Sequence, residues 1–198
     1  MIRRRFLTGG TIGLATWTAV GDPAVAAGAV DARFPATIAI RIGGKPVRLA
    51  LTGTALRTKY TFRVYAIASY VQEKIAVRSP EALAALDAPK QLHSIFERDV
   101  DGATMANSFR DSIGRGHPAP AFAAELAQLE GHFVANPVKQ GDHIRLTHVP
   151  GVGLGVQVNN RPGMVIGGVA FARAAWETYL GRINLGVAIK EGLTSRLR

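Results

Sequence analysis

Gly53-Thr-Ala-Leu-Arg57-Thr-Lys-Tyr60-Thr-Phe-Arg-Val-Tyr65-Ala-Ile-Ala-Ser-Tyr70-Val71 is a run of apolar, β-branched and aromatic residues with cations set into it. That composition reads as sheet. Arg57 is the anomaly, because a guanidinium beside a largely apolar sheet surface is costly unless its charge has a partner. The partner is either a carboxylate of the protein, with Glu97 and Asp99 as candidates, or a ligand anion. Arg57 and Tyr65 share parity, so in an unbroken strand both side chains point to one face. An arginine and a tyrosine hydroxyl aimed at one point make a carboxylate- or phenolate-binding pair.

Upstream, Thr37–Ile42 and Val47–Leu51 read as short strands with Gly43-Gly44-Lys45-Pro46 turning between them. Downstream, Ser79-Pro80 opens a short helix, with serine as N-cap and proline at the first helical position, ending near Asp87-Ala88-Pro89. Gln91–Arg98 alternates as a strand. Asp99 or Asp101 caps a helix to about Ile113, and the glycines and prolines of Gly114–Pro120 break it. Phe122, Leu126, Leu129 and Phe133 recur at helical spacing within Ala121–Val134. His143–Val149, Leu154–Val158 and Met164–Ile166 read as strands, Phe171–Leu180 and about Leu185–Leu197 as helices. The absence of βαβα alternation argues against a doubly wound parallel sheet. The expected fold class is α+β: a mostly antiparallel sheet with helices packed on one face.

Other chemistries find little support. Gly151-Val-Gly153-Leu-Gly155 leads into Val156-Gln-Val158, a strand, whereas a phosphate-binding glycine loop must open a helix. It reads as the glycine-rich start of a strand. The five histidines, His93, His117, His132, His143 and His148, form no H-x-x-x-H pair. His143 and His148 differ by an odd number and face opposite sides of a strand, so no metal site is expected. There is no G-x-S-x-G nucleophile elbow. The chain has no cysteine, which excludes disulfides, thiol nucleophiles and thiolate metal sites. No cofactor is called for. Formal net charge is +10, but no run of five or more Lys/Arg occurs, and a soluble basic surface is expected rather than a nucleic-acid partner.

Residues 1–27 read as a signal peptide, with one domain over 28–198. Arg3-Arg4-Arg5-Phe6-Leu7 has the R-R-x-F-L pattern of twin-arginine export, Gly9–Val20 is weakly apolar, and Ala24-Val25-Ala26 is an A-x-A cleavage site. The apolar stretch is about a dozen residues, too short for a ~30 Å hydrocarbon core. The expectation is a periplasmic or secreted protein with no stable membrane anchor after cleavage. Twin-arginine export implies folding before transport. A general secretory signal or an uncleaved anchor are the alternatives.

Gly53, Arg57, Lys59, Phe62-Arg63-Val64-Tyr65 and Tyr70 resemble a block of the chalcone isomerase-like family, in particular its bacterial branch. Phe96-Glu-Arg98-Asp99-Val100, Gly141-Asp142, Pro150-Gly-Val-Gly153, Gly167-Gly168-Val-Ala-Phe171, Trp176 and Leu180-Gly181 resemble later blocks in the same order. The resemblance covers roughly Pro35 to Leu193. It implies an open-faced β-sandwich with an apolar ligand between sheet and helices. It also implies that Arg57 matches the arginine central to chalcone ring closure. Where the isomerases have threonine on that strand, this chain has Tyr65, similar to the fatty-acid-binding members whose arginine and tyrosine hold a carboxylate. Met105, Ser112 and Ile189 stand where the isomerases place polar catalytic groups. The resemblance therefore implies a binder of a fatty acid or other amphipathic carboxylate or phenolic ligand through Arg57 and Tyr65. An isomerase or intramolecular lyase, with Arg57 catalytic, is the first alternative, and a non-catalytic periplasmic interaction scaffold the second. Nothing in the sequence specifies an oligomeric state.

Overall fold

The computed structural model describes residues 31–197; the predicted signal peptide lies outside them. Seven strands form one antiparallel sheet in strictly sequential order: β1 (Thr37–Ile42), β2 (Lys45–Lys59), β3 (Phe62–Gln72), β4 (Lys90–Phe96), β5 (His143–Val149), β6 (Gly153–Val158) and β7 (Met164–Gly167). The helices are α1 (Pro80–Ala85), α2 (Gly102–Gly114), α3 (Ala123–Ala135), α4 (Val169–Leu180) and α5 (Val187–Leu193). The expected α+β class holds.

The local signals are visible in the result. Ile42 pairs with Lys45 around Gly43-Gly44, both at positive φ, which a tight two-residue hairpin loop demands. The Ser79 side chain accepts from the Ala82 N–H, with Pro80 at the first helical position. Asp101, not Asp99, caps α2, through the Thr104 N–H at 2.8 Å. Asp99 instead accepts from Lys139 Nζ and the Gln140 N–H, each at 2.9 Å.

The opening stretch is not one strand. Lys59 pairs with Phe62 around a two-residue turn at Tyr60-Thr61, and β2 reaches back to Lys45 to include the separately predicted Val47–Leu51. A register shift between Leu51 and Gly53 joins the two pieces. Tyr60 takes the turn at φ 56, a conformation that carries no glycine or asparagine signal in this sequence.

One face of the sheet carries the main core, where Ile67, Leu92, Phe96, Leu146 and Val156 meet Phe133, Phe171, Trp176 and Leu193 from the helices. Lys90 is buried within it. Its ammonium donates to the carbonyls of Leu83, Ala84 and Leu86 at 2.7–2.8 Å and lies 5.1 Å from the Trp176 ring centroid. It thereby satisfies the carbonyls left open at the end of α1. Burial lowers its pKa to about 7.

Candidate functional site

Arg57 and Tyr65 share a face, though not for the reason parity along one strand suggests. They are direct partners across the β2–β3 hairpin, and directly opposed residues project to the same side. That side is the helix side, where Tyr65 packs on Phe96 with ring centroids 5.2 Å apart.

Arg57 Nη1 donates to the Leu185 carbonyl at 2.9 Å. The expected protein partners are otherwise engaged, Glu97 with Arg33 at 2.7 Å and Asp99 with Lys139. Among the described residues no carboxylate lies within 4.0 Å of Arg57. Its guanidinium is half-buried and its observed partner is neutral.

The Leu185 carbonyl is placed by a close approach of α5 to β2. A Cβ on Gly53 would lie 2.1 Å from the Gly192 carbonyl oxygen, and one on Gly192 would lie 2.5 Å from that of Thr54. Two bare backbones therefore let helix and strand touch. The Thr52 hydroxyl clamps the contact, 3.1 Å from the Ser69 oxygen and 2.9 Å from the Leu193 oxygen. The Leu185 N–H donates to the Thr178 carbonyl at 2.9 Å, tying the α4–α5 connection to α4.

Tyr179 of α4 joins the pair. Burial raises its phenol pKa well above the ordinary value, and the adjacent Tyr65 raises it further. Burial also raises the Tyr65 pKa, while the Tyr179 hydroxyl and then the Arg57 charge draw it back. Both phenols are thus protonated donors at neutral pH. Two hydroxyls and a guanidinium with no carboxylate beside it among the described residues can receive one anionic oxygen pair. In the sequence Tyr179 falls at helical spacing with Phe171 and Ala175 in the apolar stripe of α4, and only its hydroxyl distinguishes it from Phe171. The Leu185 carbonyl carries no sequence signal at all.

The remaining candidates fall apart from this cluster or into the core. Met105 and Ile189 are buried apolar residues. Ser112 lines a cavity of about 340 Å³ between α1, α2 and α4, with His117, Arg173 and Glu177. His117 Nε2 lies 2.9 Å from Glu177 Oε2, and Arg173 Nε donates to Glu177 Oε1 at 2.8 Å. Neither Arg57 nor Tyr65 lines this cavity. His148 faces the helices and bonds Asp87 at 2.7 Å, while His143 faces the other way. No cluster of three or more metal-ligating side chains occurs among the described residues.

A family described as chalcone isomerase-like matches residues 29–194. The chain belongs to the chalcone isomerase-like family. This family member is also similar in structure to a fatty-acid binding protein of Arabidopsis thaliana, with a TM-score of 0.61 at 18% identity, over 82% of this chain and 91% of that one. At that identity the likeness concerns the fold. No curated protein matches the sequence.

Proposed function

We propose that this chalcone isomerase-like protein is an exported binder of a fatty acid or similar amphipathic carboxylate, with Arg57 and Tyr65 on the head group. One observation carries the reading: Arg57 stands opposite Tyr65 on the helix side with no carboxylate of its own among the described residues. The incoming carboxylate takes over the donor now given to the Leu185 carbonyl and accepts from the Tyr65 hydroxyl. Its chain enters the apolar layer between sheet and helices. The fold shared with a protein named for fatty-acid binding supports the same reading.

Charge-assisted hydrogen bonds of this kind are worth about 1.5–3 kcal/mol each. Arg57→Ala should weaken laurate binding roughly 10- to 100-fold in calorimetry, since about 1.4 kcal/mol is a factor of ten. Arg57→Lys should recover part of the loss, because a point charge replaces a two-pronged one. Tyr65→Phe should cost less than either. Unchanged laurate affinity in Arg57→Ala defeats the proposal. Turnover of a hydroxychalcone that Arg57→Ala abolishes would replace binding with ring closure.

Export is the second half of the proposal, motivated by Arg3-Arg4 ahead of Phe6-Leu7 and by Ala24-Val25-Ala26. Lysine at both Arg3 and Arg4 should hold the precursor in the cytoplasm; normal processing of that variant would rule out the twin-arginine route.

A further inference from the structure

The face of the sheet turned away from the helices is divided in two. Over β1–β3 it is apolar, where Phe34, Ile38, Ile40, Leu49, Ala68 and Tyr70 pack as a second, smaller core. Over β4–β6 it is polar and arranged in cross-strand rows. His93, Arg145 and Gln157 are successive partners in one row, and Gln91, Thr147 and Gly155 in the next. Between the polar rows and β1 lies an open cleft of about 700 Å³.

The charges of this cleft are of one sign. Arg41 and Arg145 line it, and no carboxylate among the described residues does. Arg145 Nη1 donates to the Asn159 carbonyl at 2.9 Å, and among the described residues no acid lies within 4.0 Å of it. Part-burial of the guanidinium is costly without a counter-charge. The imidazoles beside it do not supply one. His93 Nε2 and His143 Nδ1 lie 2.7 Å apart and share one hydrogen. Burial first, then Arg145, then His143 hold His93 at about 4, so it stays neutral. Gln91 Nε2 donates to Thr147 Oγ1 at 2.9 Å, which orients both groups at the cleft floor. Gly155 leaves that floor bare, and Ile38 and Ile40 form the opposing apolar wall. The volume falls in the range of small-molecule sites, about 300–1,000 Å³.

We infer that this cleft is a second ligand site, for a small organic anion whose acid group meets Arg145 and Gln157 and whose apolar body lies against Ile38 and Ile40. It is separated from Arg57 by the sheet itself and does not depend on the helix-side reading.

Octanoate is the probe, and octanol, with the same chain and no charge, the control. Ring-proton NMR signals of His93 and His143 should shift saturably with octanoate and require about 10- to 100-fold more octanol. Arg57→Ala should leave the shifts in place. Arg145→Gln should weaken them by the same 10- to 100-fold factor. Gly155→Val provides an independent arm. A Cβ there meets Thr147 atoms at 3.5 and 3.6 Å, ordinary contact, so the side chain fills the cleft without forcing the strand. Its folded spectrum should persist while the octanoate shifts vanish. Absent shifts, shifts equal for octanol, or shifts that survive Gly155→Val overturn the site. Shifts abolished by Arg57→Ala but not by Arg145→Gln overturn it as well, and assign the probe to the helix side.

Discussion

The two sides of the sheet solve one problem in two ways. Each carries an arginine with no carboxylate beside it among the described residues, and each arginine donates from Nη1 to a backbone carbonyl at 2.9 Å. On the helix side the carbonyl belongs to Leu185, 128 residues away; on the open side it belongs to Asn159, 14 residues away across the β5–β6 hairpin. The first arrangement exists only if α5 is seated on β2. The second is built by one local turn. A cation without a carboxylate can therefore be held in place either by tertiary packing or by hairpin geometry, and the two should fail under different perturbations.

The sharpest way to separate them is Gly53→Ala. The new methyl would sit 2.1 Å from the Gly192 carbonyl oxygen, at a φ of +152 that L-residues rarely adopt. Overpacking plus strain should cost about 3 kcal/mol or more. Urea denaturation measures the loss. Laurate binding should collapse, while the octanoate response at His93 and His143 should survive wherever the sheet is still folded. Equal damage to both sides would erase the distinction.

Lys90→Met comes next. It leaves the carbonyls of Leu83, Ala84 and Leu86 without their buried donor, at an expected cost of about 2–3 kcal/mol at pH 7. Its pH signature is distinct. In the fold Lys90 loses its proton near 7, against an ordinary 10.5 in the unfolded chain. Between those values the unfolded state holds more protons, so wild-type stability should climb as pH rises across the window. The climb should flatten in Lys90→Met. A wild-type stability that falls steadily between pH 7 and 10 contradicts this account.

The smallest effects concern the arginines themselves. Arg57→Ala and Arg145→Ala each delete one guanidinium–carbonyl bond, at about 1 kcal/mol of stability. A much larger loss for Arg57→Ala in thermal melts would make it a brace for α5 rather than a ligand group.

What could be read from the chain followed from signals with a local mechanism. Gly43-Gly44, Ser79-Pro80 and the Phe122–Phe133 stripe each impose a backbone choice on their immediate neighbours, and each element appeared. Arg57 and Tyr65 stand out as candidates because a cation and a phenol in an apolar strand are conspicuous by composition, and the structure sets them opposite each other. Tyr60-Thr61 was missed because neither residue is a usual former of a positive-φ turn. The long β2 was missed because a bulge at Leu51–Gly53 looks like an interruption. Tyr179 and Lys90 were missed for a different reason: their meaning lies in what packs around them. Tyr179 is one more aromatic on a helix until β3 is laid beside it. Lys90 is one more surface lysine until α1 closes over it.

The Thr52–Leu193 hydrogen bond, which spans 141 residues, has a consequence for biosynthesis. Six sequential antiparallel pairings can form as the strands leave the ribosome, because each needs only its predecessor. The Arg57 site cannot. Its carbonyl and its clamp both lie in the last-made part of the fold, so the nascent sheet waits with that arginine uncovered until translation has passed Leu193. A chain stalled short of Leu193 would carry a nearly whole sheet, with the open-side arginine in place and the helix-side one still uncovered.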